Sequence, residues 1–83
     1  MLTIKVLGSG CANCKRLEQL ASKVVADLSI EAEVVKITEP TQYADYGVLA
    51  TPGLVINDKT VSSGRIPSLA EITTFVTTAL SAS

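Results

Sequence analysis

Apolar and polar residues alternate through Leu2-Thr3-Ile4-Lys5-Val6-Leu7, a β-branched-rich run that predicts a strand. Gly8-Ser9-Gly10 interrupts it. From about Ala12 to Leu28 the period changes: Leu17, Leu20, Ala21, Val24 and Leu28 recur at helical spacing, with Lys15, Glu18, Gln19, Ser22, Lys23 and Asp27 on the opposite face. Cys14 lies three residues before Leu17 and extends the apolar stripe backwards. Its side chain is therefore expected to point inward, with Cys11 at the exposed helix start. Residues 30–37 predict a second strand, and the helical crossover is long enough for parallel pairing, so the first half reads as a βαβ unit.

Thr38-Glu39-Pro40 then opens a short helix, proline being tolerated in a first turn. Gly47 suits its C-terminal end. Beyond Pro52-Gly53, Leu54-Val55-Ile56 predicts a strand, Asn57-Asp58 a tight turn, and residues 59–62 a returning strand. Ser68 with Glu71 fits a capping box for a last helix carrying Leu69, Ile72, Val76, Ala79 and Leu80 on one face. Phe75 is expected in or near the core, Tyr43 and Tyr46 to pack the short helix, and Arg65 to be a solvated loop charge. The order is β-α-β-α-β-β-α, read as one domain over residues 1–83.

Composition narrows the function. At 83 residues, 47% hydrophobic and 18% charged, the chain can fill one core. A net charge of −1 gives no footprint for nucleic acid or an anionic membrane. No apolar run approaches the roughly 20 residues that span a bilayer. The first residues do not resemble a signal peptide, so a cytoplasmic location is expected. Thiols are kept reduced there, which argues against a lone Cys-x-x-Cys acting as a structural staple.

The chemistry concentrates at Cys11-Ala12-Asn13-Cys14. A helix start presents unpaired N–H groups and the positive end of the dipole, which lower a thiol's pKa; Lys15 and Arg16 add positive charge. The spacing brings the two sulfurs within bonding reach. Cys11 is then the attacking thiol on a substrate disulfide and Cys14 the resolving one. Two ordinary buried cysteines are the plainer reading, disfavoured by the spacing and the glycine-rich turn before it. A soft-metal carrier is the rival: two thiolates can hold Cu(I) linearly, and a strand, Gly-x-x-Cys-x-x-Cys and a helix also describe such domains. Those domains continue β-β-α-β, unlike the second half of this chain. Zinc or iron–sulfur binding needs further ligands, and the sequence has no His and no third Cys.

Gly8-Ser9-Gly10-Cys11-Ala12-Asn13-Cys14-Lys15, then Tyr46-Gly47-Val48 and Thr51-Pro52-Gly53-Leu54, resemble the thioredoxin-like superfamily over nearly the whole chain, particularly its very small single-domain proteins. The resemblance implies a minimal thioredoxin/glutaredoxin-like α/β fold. Its four-stranded mixed sheet has the order β2-β1-β3-β4 (strands counted along the chain) and is flanked by helices. It implies a redox-active Cys11–Cys14 disulfide exchanging with protein disulfide substrates, a partner reductase, a monomer, and no metal or other cofactor. It also implies a cis Thr51-Pro52 bond against the dithiol. Thr51 would offer its backbone to an extended substrate, with Pro52, Gly10, Ala12 and Asn13 completing the binding surface. The departures are specific. The chain has no Trp, Ala12-Asn13 replaces the Gly-Pro of larger relatives, and Lys5 is the only ionisable side chain on the first strand, where those relatives bury an acid. No base for the resolving thiol can be named from the sequence, and no cationic and aromatic set for glutathione is present.

Overall fold

In a computed structural model that describes residues 2–8, 12–48 and 50–82, Leu2–Leu7 forms β1, an interior strand of a four-stranded sheet ordered β2-β1-β3-β4. β2 is Ala32–Ile37, β3 is Gly53–Ile56 and β4 is Lys59–Ser63. β1 pairs parallel with β2, Leu2 opposite Ala32 and Leu7 opposite Ile37. It pairs antiparallel with β3, Ile4 opposite Ile56 and Leu7 opposite Gly53. Helix α1, Ala12–Leu28, makes the β1-to-β2 crossover. Helix α2, Pro40–Tyr43, continues into a 3₁₀ turn, Ala44–Tyr46, and α3, Leu69–Ala82, closes the order.

The pleat divides β1 between two cores. Leu2, Ile4 and Val6 join Leu54 and Ile56 beneath Leu17, Ala21 and Val24 of α1 and Ile72 and Val76 of α3. Each buried Leu, Ile or Val side chain here contributes about 1.5–3 kcal/mol by leaving water. Leu7 and Val55 face the other way and pack with Val48, Ile37, Tyr43 and Tyr46. The tyrosines thus pack the short helix, as expected. Phe75 is half-buried against the main core. Leu80 departs from its expected place on the buried face of α3: it is 39% exposed.

Local chemistry sets the element ends. Gly47 takes φ +70 and closes the 3₁₀ turn, as the glycine predicts. Asn57 and Asp58, at φ 50 and 65, make the two-residue turn between β3 and β4. Asn57 also clasps β1: its Oδ1 accepts from the Thr3 N–H at 3.0 Å, and its own N–H donates to the Thr3 carbonyl at 2.9 Å. The capping box forms, with the Glu71 N–H donating to Ser68 Oγ and the Ser68 N–H to Glu71 Oε1, both at 3.2 Å. α1 ends without a glycine. Ser29 adopts φ 52, and the Ser29 and Ile30 N–H groups donate to the Ala26 and Val25 carbonyls, a Schellman closure. The second strand therefore starts at Ala32 rather than residue 30.

Candidate active site

β1 ends at the site. The Gly8 N–H donates to the Ile37 carbonyl at 2.9 Å, extending the β1–β2 ladder by one residue and fixing the Gly8 backbone. A Cβ placed on Gly8 would stand 2.1 Å from Cys14 Sγ and 3.9 Å from Thr51 Cβ. The sulfur therefore rests on bare backbone, and this glycine is needed for space rather than for an unusual φ. Cys14 and Thr51 meet over it although 37 residues separate them in sequence (51 − 14).

The helix period and the loop before Pro52 place the remaining predicted residues. Cys14 is 5% exposed and disulfide-bonded, while Ala12 and Asn13 are exposed on the first turn of α1. Cys11, the chain's other cysteine, and Gly10 lie outside the described residues. The Thr51-Pro52 bond is cis, with Thr51 exposed and Pro52 buried. The Pro52 carbonyl accepts from the Gly64 N–H at 3.0 Å, and a Cβ on Gly53 would approach Val48 to 2.8 Å. The loop is thus held to the start of β3 and to the bend after β4.

Beside Cys14 lies a cavity of about 110 Å³. Val6, Gly8 and Cys14 are its buried lining, and Lys15, Glu18, Lys36 and Thr38 line it toward solvent. Lys36 Nζ is 3.1 Å from Glu18 Oε2. In the sequence Glu18 belongs only to the polar face of α1. That it borders the sulfur with a β2 lysine opposite follows from packing α1 on the parallel β1–β2 pair, which no local pattern reports.

Two other charges have different roles from those the sequence suggests. Lys5 lies on the sheet face opposite α1, its Nζ donating to Asp58 Oδ1 at 2.8 Å and to Tyr46 Oη at 2.6 Å, 4.9 Å from that ring's centroid. These bonds, Asp58 first, hold its pKa above the ordinary lysine value. It pins the 3₁₀ turn to the β3–β4 hairpin and is remote from the dithiol chemistry. Arg65 is not a free solvated charge: its guanidinium pairs with Glu71 at 2.7 Å. Arg65, then the Ser68 N–H, holds the Glu71 carboxyl below the usual carboxylate value.

Comparison with known proteins agrees with this geometry. The family model for the thioredoxin domain matches residues 2–77. A thioredoxin of Methanothermobacter thermautotrophicus is 42% identical over 72 residues, covering 87% of this chain and 94% of that protein. A thioredoxin of Methanocaldococcus jannaschii is 39% identical over 72 residues, 87% of this chain and 83% of that one. The crystal structure of the germline-specific thioredoxin Deadhead of Drosophila melanogaster superposes with a TM-score of 0.68 over 93% of this chain and 79% of that one. At 19% identity it shows the shared fold.

Proposed function

The chain belongs to the thioredoxin family and is a thiol–disulfide oxidoreductase; we propose that Cys11 is its attacking thiol and Cys14 its resolving thiol. The Cu(I)-carrier alternative falls with family membership and with the order after α1, which is strand, short helix, hairpin and helix rather than β-β-α-β. The observation supporting the roles is the burial of Cys14: a cysteine only 5% exposed is poorly placed to meet a protein disulfide directly, so the first attack belongs to the other cysteine.

Exchange proceeds in two displacements. Cys11 thiolate attacks one sulfur of a substrate disulfide; the substrate S–S bond breaks, a Cys11–substrate bond forms, and the first substrate thiolate leaves and takes a proton from solvent. Cys14 thiolate then attacks Cys11 Sγ, forming the Cys11–Cys14 disulfide and releasing the second substrate thiolate. Two electrons pass from the dithiol to the substrate, and a dithiol-bearing reductase restores the protein by the reverse exchange. We assign substrate contact to the exposed Ala12 and Asn13, to Gly10, and to Thr51 and Pro52, the Thr51 backbone pairing with an extended segment. The protein is proposed to act as a monomer in the reducing cytoplasm.

A Cys14→Ser variant should accumulate mixed disulfides through Cys11, visible as a mass increase that dithiothreitol removes. Cys11→Ser should trap none and have no disulfide reductase activity. Trapping through Cys14 instead would reverse the assignment.

A further inference from the structure

The second displacement poses a problem the first does not. Before Cys14 attacks, its thiol must lose a proton, and a cysteine only 5% exposed has little direct contact with bulk water. The thiolate, not the thiol, is the nucleophile, so resolution needs something to take the proton. β1 provides no acid for this: Val6 and Gly8 are its contributions to the cavity beside the sulfur. The route therefore has to come from elsewhere.

We propose that Glu18, paired with Lys36 across the cavity beside Cys14, carries the proton between the Cys14 sulfur and solvent during resolution. This rests on Cys14 being the resolving thiol. Three observations carry it. Cys14 and Glu18 are one helical turn apart on α1 and line the same cavity. The cavity, about 110 Å³, has room for more than one water at roughly 10–15 Å³ each, so a bridge between thiol and carboxylate is sterically available. The Glu18 side chain is 33% exposed, so it reaches both the cavity and bulk solvent.

Lys36 makes this arrangement electrostatically workable. A lone carboxylate beside a thiol opposes the thiolate by like-charge repulsion. With the ammonium 3.1 Å from the carboxylate, the pair is neutral before transfer. When the proton moves from Cys14 Sγ to Glu18, one negative charge disappears from the carboxylate and one appears on sulfur. Lys36 then becomes counterion to the thiolate. The Cys14 electron pair forms the bond to Cys11, the Cys11–substrate bond breaks, and the substrate thiolate takes a proton from solvent; Glu18 releases its proton to solvent. In the reverse direction the protonated Glu18 returns a proton to the leaving Cys14 thiolate. The remaining titratable group lining the cavity is Lys15, on α1; β1 faces it with Val6 and Gly8, and Thr38, beyond β2, does not titrate near neutral pH. Glu18 is thus the one proton acceptor with a carboxylate among the described lining residues.

Stopped-flow reaction of the reduced chain with equimolar 5,5′-dithiobis(2-nitrobenzoate) separates the steps, because each displacement releases one coloured thiolate. In Glu18→Gln the first phase should stay within about twofold of the unmodified protein. The second should slow by about a hundredfold near pH 6–7, the lower end of what a positioned base supplies. The deficit should shrink as the pH rises, because hydroxide increasingly replaces the missing base. Glu18→Asp should recover part of the loss, and Lys36→Gln should slow the second phase with the first unaltered. A second phase within twofold of the unmodified protein at every pH, or slowed equally at every pH, would overturn the proposal. Absence of a first phase in the unmodified protein, or its survival in Cys11→Ser, would instead overturn the assignment of thiol roles. Gln is isosteric with Glu, and a thermal melt of each variant checks that folding is kept.

Discussion

Replacing Gly8 with alanine tests the close approach on which the site is built. The added methyl would stand 2.1 Å from Cys14 Sγ and 3.0 Å from Cys14 Cβ. Ordinary contact needs about 3.5–4.0 Å between such atoms, so one partner must move by roughly 1.5 Å. Neither moves easily. The Gly8 backbone is held by its hydrogen bond to Ile37, and Cys14 is tethered through its disulfide. Overpacking of this kind typically costs about 1–3 kcal/mol, and the double tether argues for the upper half of that range. A domain of this length is stable by about 4–12 kcal/mol, and each kcal/mol lost lowers Tm by roughly 4–8 °C. Circular dichroism melts of oxidised Gly8→Ala should therefore show Tm lower by about 10 °C or more. Reduction frees the Cys14 thiol to rotate, so the loss should be smaller in the reduced protein. A Tm within about 2 °C of the unmodified protein in both redox states would refute the reasoning, as that is below the shift expected from even the smallest overpacking cost.

Two further predictions concern regions away from the sulfur. Ser29 holds a left-handed conformation that a side chain disfavours, so Ser29→Gly should raise stability by about 0.5–1 kcal/mol after allowing for glycine's freer unfolded chain. Chemical denaturation should show a higher midpoint at unchanged slope, and a lower midpoint would mean that the cap does not need the glycine. Glu71 has its carboxyl pKa held below the ordinary 4.5, first by Arg65 and then by the Ser68 N–H. Its contribution is therefore complete above the unfolded value and is lost as pH falls through the lower, folded one. The Tm gap between the unmodified protein and Glu71→Gln should be widest near neutral pH and narrow as the pH falls through the folded-state value; a gap constant with pH would contradict the charge pairing.

The parts legible in sequence were those with a local cause. Alternation identified β1, the 3.6-residue period identified α1 and made Cys14 its buried cysteine, and Ser68 with Glu71 marked the start of α3 by the two hydrogen bonds that form there. Asn57-Asp58 named its own turn because both residues tolerate positive φ. What stayed hidden depends on elements meeting. Ser29 is a poor signal for a left-handed cap, and only the two closing bonds from Ser29 and Ile30 reveal it. Arg65 looked like a loop charge until α3 brought Glu71 beneath it. Glu18 and Lys36 sit in separate polar patterns, one helical and one alternating, and become a pair when α1 lies across β1 and β2. Leu80 shows the converse error: the apolar stripe continues in sequence to a position that the fold leaves 39% exposed.

The clasp between Asn57 and Thr3 has a practical consequence for anyone handling this molecule. It locks the entry of β1, and the five residue steps from Thr3 to Gly8, at about 3.3 Å each, put the Gly8 end of the strand roughly 17 Å away. The hairpin turn is thus a fastening point at the opposite pole from the reactive end. Attachment to an electrode or bead through the exposed Asp58–Lys59 side of that turn would leave the Gly8 end of the sheet, where α1 begins, turned away from the support. The exchange current should then match that of the free protein, whereas attachment through Lys15 would bury the working end against the support.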